Sequence, residues 1–236
     1  MPLIPENVCY LFVEVSSVVS PSQFHVILPF GSKSVHEIDS LLKRGTSLES
    51  LLNQEPKTLY SAMSDHYSKA PFKENTKVAL ACGSIVVAKR HLDEKWHRGR
   101  VIDATDTAGP AQIFFVDFGD KEWVPRKLIR EILPEYLHTP FQAIECTLSD
   151  IEPVNHEKGT FWSESAIKTF MQLVERQVLI AHITYRLGKV LHVTLMKTSR
   201  ENKSSVGDYL VSAGYAQYQC PQKTSSAKKE ILFIPG

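Results

Sequence analysis

The sequence predicts a mixed fold, mainly β with α, in which a small five-stranded barrel is inserted into a second subdomain. Two observations carry this. Five short β-branched and aromatic runs follow one another between Ser84 and Ile132: SIVVAKR, KWHRGRVIDA, AQIFFVDF, KEWVP and KLIREI. HLDE, TDTAGP and GD separate them with turn chemistry. So short a sheet buries its apolar face best by curling on itself. The chain on either side is mixed α and β, and neither piece alone has enough strands for a stable sheet. The economical solution is one subdomain assembled from both flanks.

In chain order, VCYLFVEVSSVV and QFHVILP read as strands separated by SPSQ, Ser20 to Gln23. From Val35 to Tyr67 the apolar period becomes helical, through Ile38, Leu41, Leu42, Leu48, Leu51, Leu52, Leu59 and Met63. Gly45 and Pro56 divide this run into two or three helical pieces, with Pro56 near the first turn of the last. A polar connector, SKAPFKENTK, leads into the barrel. After it, FQAIECTLSDI reads as a strand. TFWSESAIKTFMQLVER reads as an amphipathic helix capped by Ser163 or Thr160, with a stripe of Phe161, Ile167, Phe170, Met171 and Val174. QVLIAHITYR and KVLHVTLM form a hairpin about LG, and SSVGDYLVSAGYAQY a short helix closed by Gly214. The expected units are residues 9–75, the barrel at 76–138, residues 139–218, and a tail or linker at 219–236.

Composition narrows the function. Of 236 residues, 27 are basic and 26 acidic, a net charge of +1, so no global field steers the chain onto nucleic acid or membrane. The N-terminus lacks a signal-peptide pattern, and no apolar run approaches the ~20 residues of a membrane helix. Cys9, Cys82, Cys146 and Cys220 are widely spaced, which suggests reduced thiols in a cytosolic or nuclear setting.

Four motifs, VVAKRHLDEKWHRGRV, IFFVDFGDKEWVP, LPEYLHTPFQAIECTL and LVSAGYA, occur in an order that resembles the extended Tudor domain from about Val13 to Tyr218. In that family a five-stranded Tudor barrel sits inside a split staphylococcal-nuclease-like (OB-fold) subdomain, joined by a helix. The resemblance implies a non-catalytic adaptor that binds arginine-containing, often symmetrically dimethylated, peptides through an aromatic cage and one asparagine. It also implies PIWI-type partners and other germ-granule proteins, cytoplasmic germline RNP granules (nuage), and piRNA-linked transposon silencing.

Carried over by position, the cage falls on Phe115, Phe118 and His97, and the family's asparagine falls on Asp120. The first-strand aromatic falls on Arg90, or on His91 if the turn is one residue longer. The match is partial: two rings, a third wall at His97, and a carboxylate for the amide. Arg90 reads as a solvated cation that would repel an arginine ligand. In a regular strand Phe115 and Phe118 point to opposite faces, so they share a cage only if the backbone bends near Asp117–Gly119. Phe114, Trp96 and Trp123 read as packing.

Other classes fit less well. Hairpin register sets Ile183 opposite His192 and His182 opposite Val193, placing the histidines on opposite faces, and no HExxH or Cys/His pattern occurs. No metal, cofactor or catalytic activity is expected. A nuclease would need clustered carboxylates with phosphate-binding arginines, and the return strand offers only Glu145. Two alternatives to the methylarginine reader remain. One is a methylation-independent scaffold with a vestigial cage. The other is an OB-type binder of single-stranded RNA using Arg126, Lys127 and Arg130 beside Trp123, to which Lys89-Arg90 and the HRGR run from His97 to Arg100 add.

Overall fold

The computed structural model describes residues 4–31, 33–36, 59–69, 80–106, 108–154, 161–198 and 204–219. Strands β1 (Tyr10–Ser20) and β2 (Gln23–Ile27) form an antiparallel hairpin. Helices α1 (Lys33–His36) and α2 (Leu59–Lys69) follow. The Tudor-type sheet comprises β3 (Ile85–Lys89), β4 (Trp96–Asp103), β5 (Ala111–Phe115), β6 (Lys121–Val124) and β7 (Ile129–Glu131). Then come β8 (Ile144–Leu148), β9 (Ile151–Pro153), α3 (Glu164–Val174), β10 (Val178–Leu187), β11 (Val190–Lys197), α4 (Val206–Ser212) and β12 (Ala216–Tyr218). The helical run expected across residues 37–58 lies outside the described residues.

The larger subdomain is a closed barrel of order β1-β10-β11-β8-β2. Two staves precede the Tudor sheet in sequence and three follow it. Closure comes from β8, which pairs antiparallel with β2 (Phe24 opposite Cys146) and parallel with β11 (Leu191 opposite Cys146). Alternating inward residues fill the interior, including Leu11, Val13, Phe24, Ile144, Leu179 and Leu195. Neither flank could bury these faces alone, which is why the chain returns.

Helix α3 seals this barrel. Ser163 caps it, its Oγ accepting the Ala166 N–H at 3.2 Å. Its buried stripe is Ala166, Phe170 and Val174, with Phe170 edge-on to Phe24 at 5.2 Å. Two residues of the expected stripe face solvent instead: Phe161 is 74% exposed and Met171 50%. Helix α4 is closed at its start by a reciprocal Ser205–Asp208 capping box and at its end by Gly214 at φ 75°.

The hairpin of β10 and β11 departs from the register read in the sequence. A bulge between Ile183 and Tyr185 pairs Ile183 with Val193 and Tyr185 with His192, and His182 lies opposite Thr194. His182 and His192 therefore share the outer face, each stacked on a tyrosine (Tyr10 at 4.7 Å, Tyr185 at 3.9 Å). The extra residue at the bulge reverses side-chain parity, which the turn sequence does not signal. Among the described residues no cluster of three or more His, Cys, Asp or Glu side chains could hold a metal.

The Tudor-type strands form one antiparallel sheet of order β6-β5-β4-β3-β7. Its two edge strands both send a residue, Val124 and Ile129, into the core that holds Val86, Ala88, Val101, Ile113 and Phe115. The sheet thus curls around a single interior. Helix α2 packs across its outside through Met63 and Tyr67 against Val87, Trp96 and Tyr136. The Tyr67 hydroxyl donates to Glu131 O at 2.8 Å and accepts the Leu133 N–H at 3.0 Å.

Candidate functional site

The segment Phe115–Asp120 makes a tight bend where β5 ends. The Phe115 carbonyl accepts both the Phe118 N–H (3.1 Å) and the Gly119 N–H (2.7 Å), and Phe115 N–H closes the bend on Asp120 O (2.9 Å). Gly119 makes this bend possible at φ 91°. It is also pressed against the larger barrel: a Cβ there would lie 2.0 Å from His25 Cγ. Ser16 of β1 donates its hydroxyl to Phe118 O at 2.6 Å, and Phe114 packs on His25 at 5.7 Å between centroids. The larger barrel therefore fixes where Phe118 and Asp120 point.

The bend does not expose both phenylalanines. Phe115 has no solvent exposure and belongs to the Tudor core, while Phe114 is half-buried at the subdomain junction. Phe115 is thus core rather than an open cage wall, while Phe114 packs on His25. Ala111, Ile113 and Phe115 share one face of β5, and that face is the inward one. Phe118, placed beyond the bend, leans over the end of the core instead. His97 stands beside it, ring edge to ring face at 4.8 Å, and is only 2% exposed. Phe115 lies beneath His97 at 6.4 Å, as a floor rather than an open wall. Trp96 packs as expected, but Trp123 is 57% exposed because its neighbour Val124 takes the inward face of β6.

Arg90 is the largest departure. It is 5% exposed, not solvated. Its guanidinium carbon lies 4.2 Å from the Phe118 ring centroid, within cation–π range. Arg90 Nε donates to Asp120 Oδ2 at 2.8 Å, and Nη1 lies 3.9 Å from Asp93 Oδ2. Asp93 also pairs with His97 Nε2 at 2.9 Å. A cation beside an aromatic ring and two carboxylates is attracted, so Asp93, Asp120 and Phe118 draw Arg90 into the site, where the sequence suggested a solvated charge. The structure brings together Arg90, His97, Phe118 and Asp120, with Phe115 below; His91 is exposed and apart. Asp120 Oδ1 is buried and has no hydrogen-bond partner. Burial holds the His97 pKa below the usual imidazole value, with Asp93 opposing.

A second arginine, which in the sequence reads only as part of the basic HRGR run, braces the same region. Arg98 and Asp117 are both fully buried, joined at 2.6 and 2.8 Å. Arg98 also donates to the carbonyls of Tyr136, Thr139 and Pro140, and Asp117 accepts the Gln142 N–H. The pair ties β4 and the bend to the chain that returns to the larger barrel. Arg98 lies on β4 and Asp117 in the bend beyond β5, 19 residues on, and nothing local marks them as partners.

Of the basic run beside Trp123, the two arginines are engaged within the protein and Lys127 is exposed. Arg126 donates to the carbonyls of Ala104, Asp106 and Gly109. Arg130 donates to Tyr67 O at 2.7 Å and lies 4.4 Å from the Trp96 ring.

Such a chain, a curled five-stranded sheet set between two parts of a closed barrel, has the extended Tudor fold. It carries a Tudor domain: residues 48–150 match that family. The mouse Tudor and KH domain-containing protein is 30% identical over 214 residues, 88% of this chain and 33% of that protein. The chain thus spans about a third of that relative's length. The extended Tudor domain of Drosophila melanogaster Papi is similar in structure, with a TM-score of 0.70, 26% identity, and coverage of 89% of this chain and 99% of that one. The extended Tudor domain TD3 of mouse TDRD1, solved with a MILI peptide containing dimethylarginine, has a TM-score of 0.70 at 23% identity, covering 93% and 98%.

Proposed function

We propose that this chain is a non-catalytic protein-interaction module that takes an arginine side chain of a PIWI-type partner at the corner formed by Phe118, His97 and Asp120. The observation that carries this is the guanidinium already seated there. Arg90 occupies a ring face and a carboxylate, the two features an arginine ligand needs. The fold neighbour from TDRD1 binds a dimethylarginine peptide of MILI, which supports the ligand class. On this reading the protein acts as an adaptor in cytoplasmic germline RNP granules and in transposon silencing.

Asp120 favours a methylation-tolerant rather than methylation-selective site. A carboxylate gains from every N–H that an unmethylated guanidinium retains, and gains nothing from a methyl group. Scaffolding independent of methylation is therefore the second reading. RNA binding has less support, since Arg126 and Arg130 are engaged within the protein. The test is calorimetry with matched dimethylated and unmethylated Arg/Gly-rich peptides. The expected affinity is about 10–100 µM for both, or ~5.5–7 kcal/mol. Binding that is lost in Phe118→Ala supports the site. Binding indifferent to Phe118→Ala places the peptide elsewhere.

A further inference from the structure

The corner described above is a guanidinium site with its occupant in place. We propose that Arg90 is an internal competitor: its side chain closes the arginine site, and a peptide arginine enters only by displacing it. This deepens the peptide-binding reading and rests on it.

Four observations lead here. First, the Arg90 backbone is fixed independently of its side chain: its N–H donates to Lys95 O (2.9 Å), and its carbonyl accepts the Glu94 N–H (3.0 Å). The side chain can rotate out without disturbing the β3–β4 turn. Second, the turn is itself pinned, by Lys89 Nζ to Glu94 at 2.6 Å and by the His91 N–H donating to Glu122 at 2.8 Å. Third, the Arg90 guanidinium is held incompletely. It makes one short contact, to Asp120 Oδ2, and a longer one to Asp93 at 3.9 Å. Fourth, Asp120 Oδ1 is buried without a partner, so the bound state with Arg90 leaves an acceptor unsatisfied.

A displacing arginine could do what Arg90 does not. Coming from outside the turn, it is free to present two parallel N–H groups to both oxygens of Asp120, the fork geometry of a carboxylate–guanidinium pair. It would use the same face of Phe118. Symmetric dimethylation places a methyl on each terminal nitrogen and so weakens the fork. An opened site therefore gains more for the unmethylated peptide than for the methylated one. Rotation of Arg90 brings its charge into water near Glu94 and Glu122, the acids that already hold the turn.

The experiment has two arms on the full chain. In the first, phenylglyoxal, which modifies accessible guanidinium groups, is applied without peptide and the modified arginines are mapped by mass spectrometry. Arg90 is expected to react slowly, like buried Arg98 and unlike Arg176, whose side chain is 90% exposed. In the second, a glycine-flanked arginine peptide and its symmetrically dimethylated twin are titrated into parent, Arg90→Ala and Arg90→Gln. A site open about a tenth of the time binds about tenfold too weakly, and removing the occupant restores that factor. Arg90→Ala is expected to bind the unmethylated peptide about tenfold tighter and the methylated peptide by a smaller factor, and Arg90→Gln, whose neutral amide still reaches Asp120, to tighten both by less. Arg90→Gln keeps an amide on Asp120 and guards against a variant that fails to fold. Arg90 reacting as fast as Arg176 overturns the proposal. If the parent binds peptide and neither variant binds tighter, the internal competitor is wrong while the peptide reader stands. If no protein binds either peptide, both fall.

Discussion

Two arginine–aspartate pairs sit on neighbouring parts of the same sheet and differ in almost every respect that matters. Arg98 and Asp117 are sealed from water, doubly bonded to each other, and surrounded by three carbonyls and an N–H that use the remaining valences. Arg90 and Asp120 share one short contact at the rim, leave one carboxylate oxygen unpartnered, and lie against a ring. Removing two charges from water is recovered only when all their hydrogen-bonding capacity is met. The first pair meets that condition and behaves as a brace. The second does not, and is suited to exchange.

The largest expected effect lies at the brace. Asp117→Ala leaves the Arg98 charge uncompensated in the interior and should lower unfolding free energy by ~3–5 kcal/mol. Urea denaturation measures it, and a loss below about 1 kcal/mol would make this an ordinary surface-grade pair. Gly119→Ala comes next. It forces a Cβ into His25 at positive φ, where Gly188→Ala at φ 59° meets nothing. The first should cost ~2–3 kcal/mol and weaken peptide binding, and the second ~1 kcal/mol without touching binding. Equal costs at the two glycines would show that the larger barrel does not position the bend.

At the rim the effects shrink. Asp120→Asn removes the charge but keeps a donor and an acceptor, so stability should fall by only ~1 kcal/mol. Affinity for unmethylated peptide should drop while the methylated peptide changes little, which a pair of titrations reads directly. Loss of both affinities alike would mean that Asp120 holds the fold rather than the ligand.

The gentlest probe is pH. Burial lowers the pKa of His25 and of His97. His97 faces Asp93, Arg90 and Asp117, and His25 faces Glu145, Asp120 and Lys121. Because the folded values lie below the unfolded value of about 6.5, the unfolded chain binds more protons in the window just beneath it. Stability contributed by the neutral rings is full above about pH 6.5 and declines as pH falls through the folded values. His25→Phe should flatten part of that decline in denaturation curves taken between about pH 5 and 7. An unchanged profile would assign the pH dependence to other groups.

Much of the fold was legible because it rests on local pattern. Alternation marked the strands, Ser163 or Thr160 marked a helix start that the structure places at Ser163, Gly214 marked an end, and the glycine after Phe118 marked the bend. Features that depend on parity or on distant partners were not. A single bulge in β10 moved the two histidines onto one face. Phe115 is core rather than cage because only the inward direction of β5, set by Ile113 and Ala111, decides which of two adjacent rings is sealed. Arg90 looked like a free cation because Asp120 lies 30 residues away, and Arg98 found Asp117 after 19. In each case the chemistry was visible in the sequence, and the spatial pairing was not.

The contrast between the two arginines can be read in one spectrum. Their Nε–H groups are observable by 15N NMR, and each reports whether its guanidinium is held. The account predicts a slowly exchanging Nε–H for Arg98 that is indifferent to peptide. For Arg90 it predicts a protected Nε–H in the free protein that becomes rapidly exchanging when unmethylated arginine peptide saturates the site. An Arg90 signal that stays protected at saturation would mean that the peptide binds without displacing it, and would contradict the account at its centre.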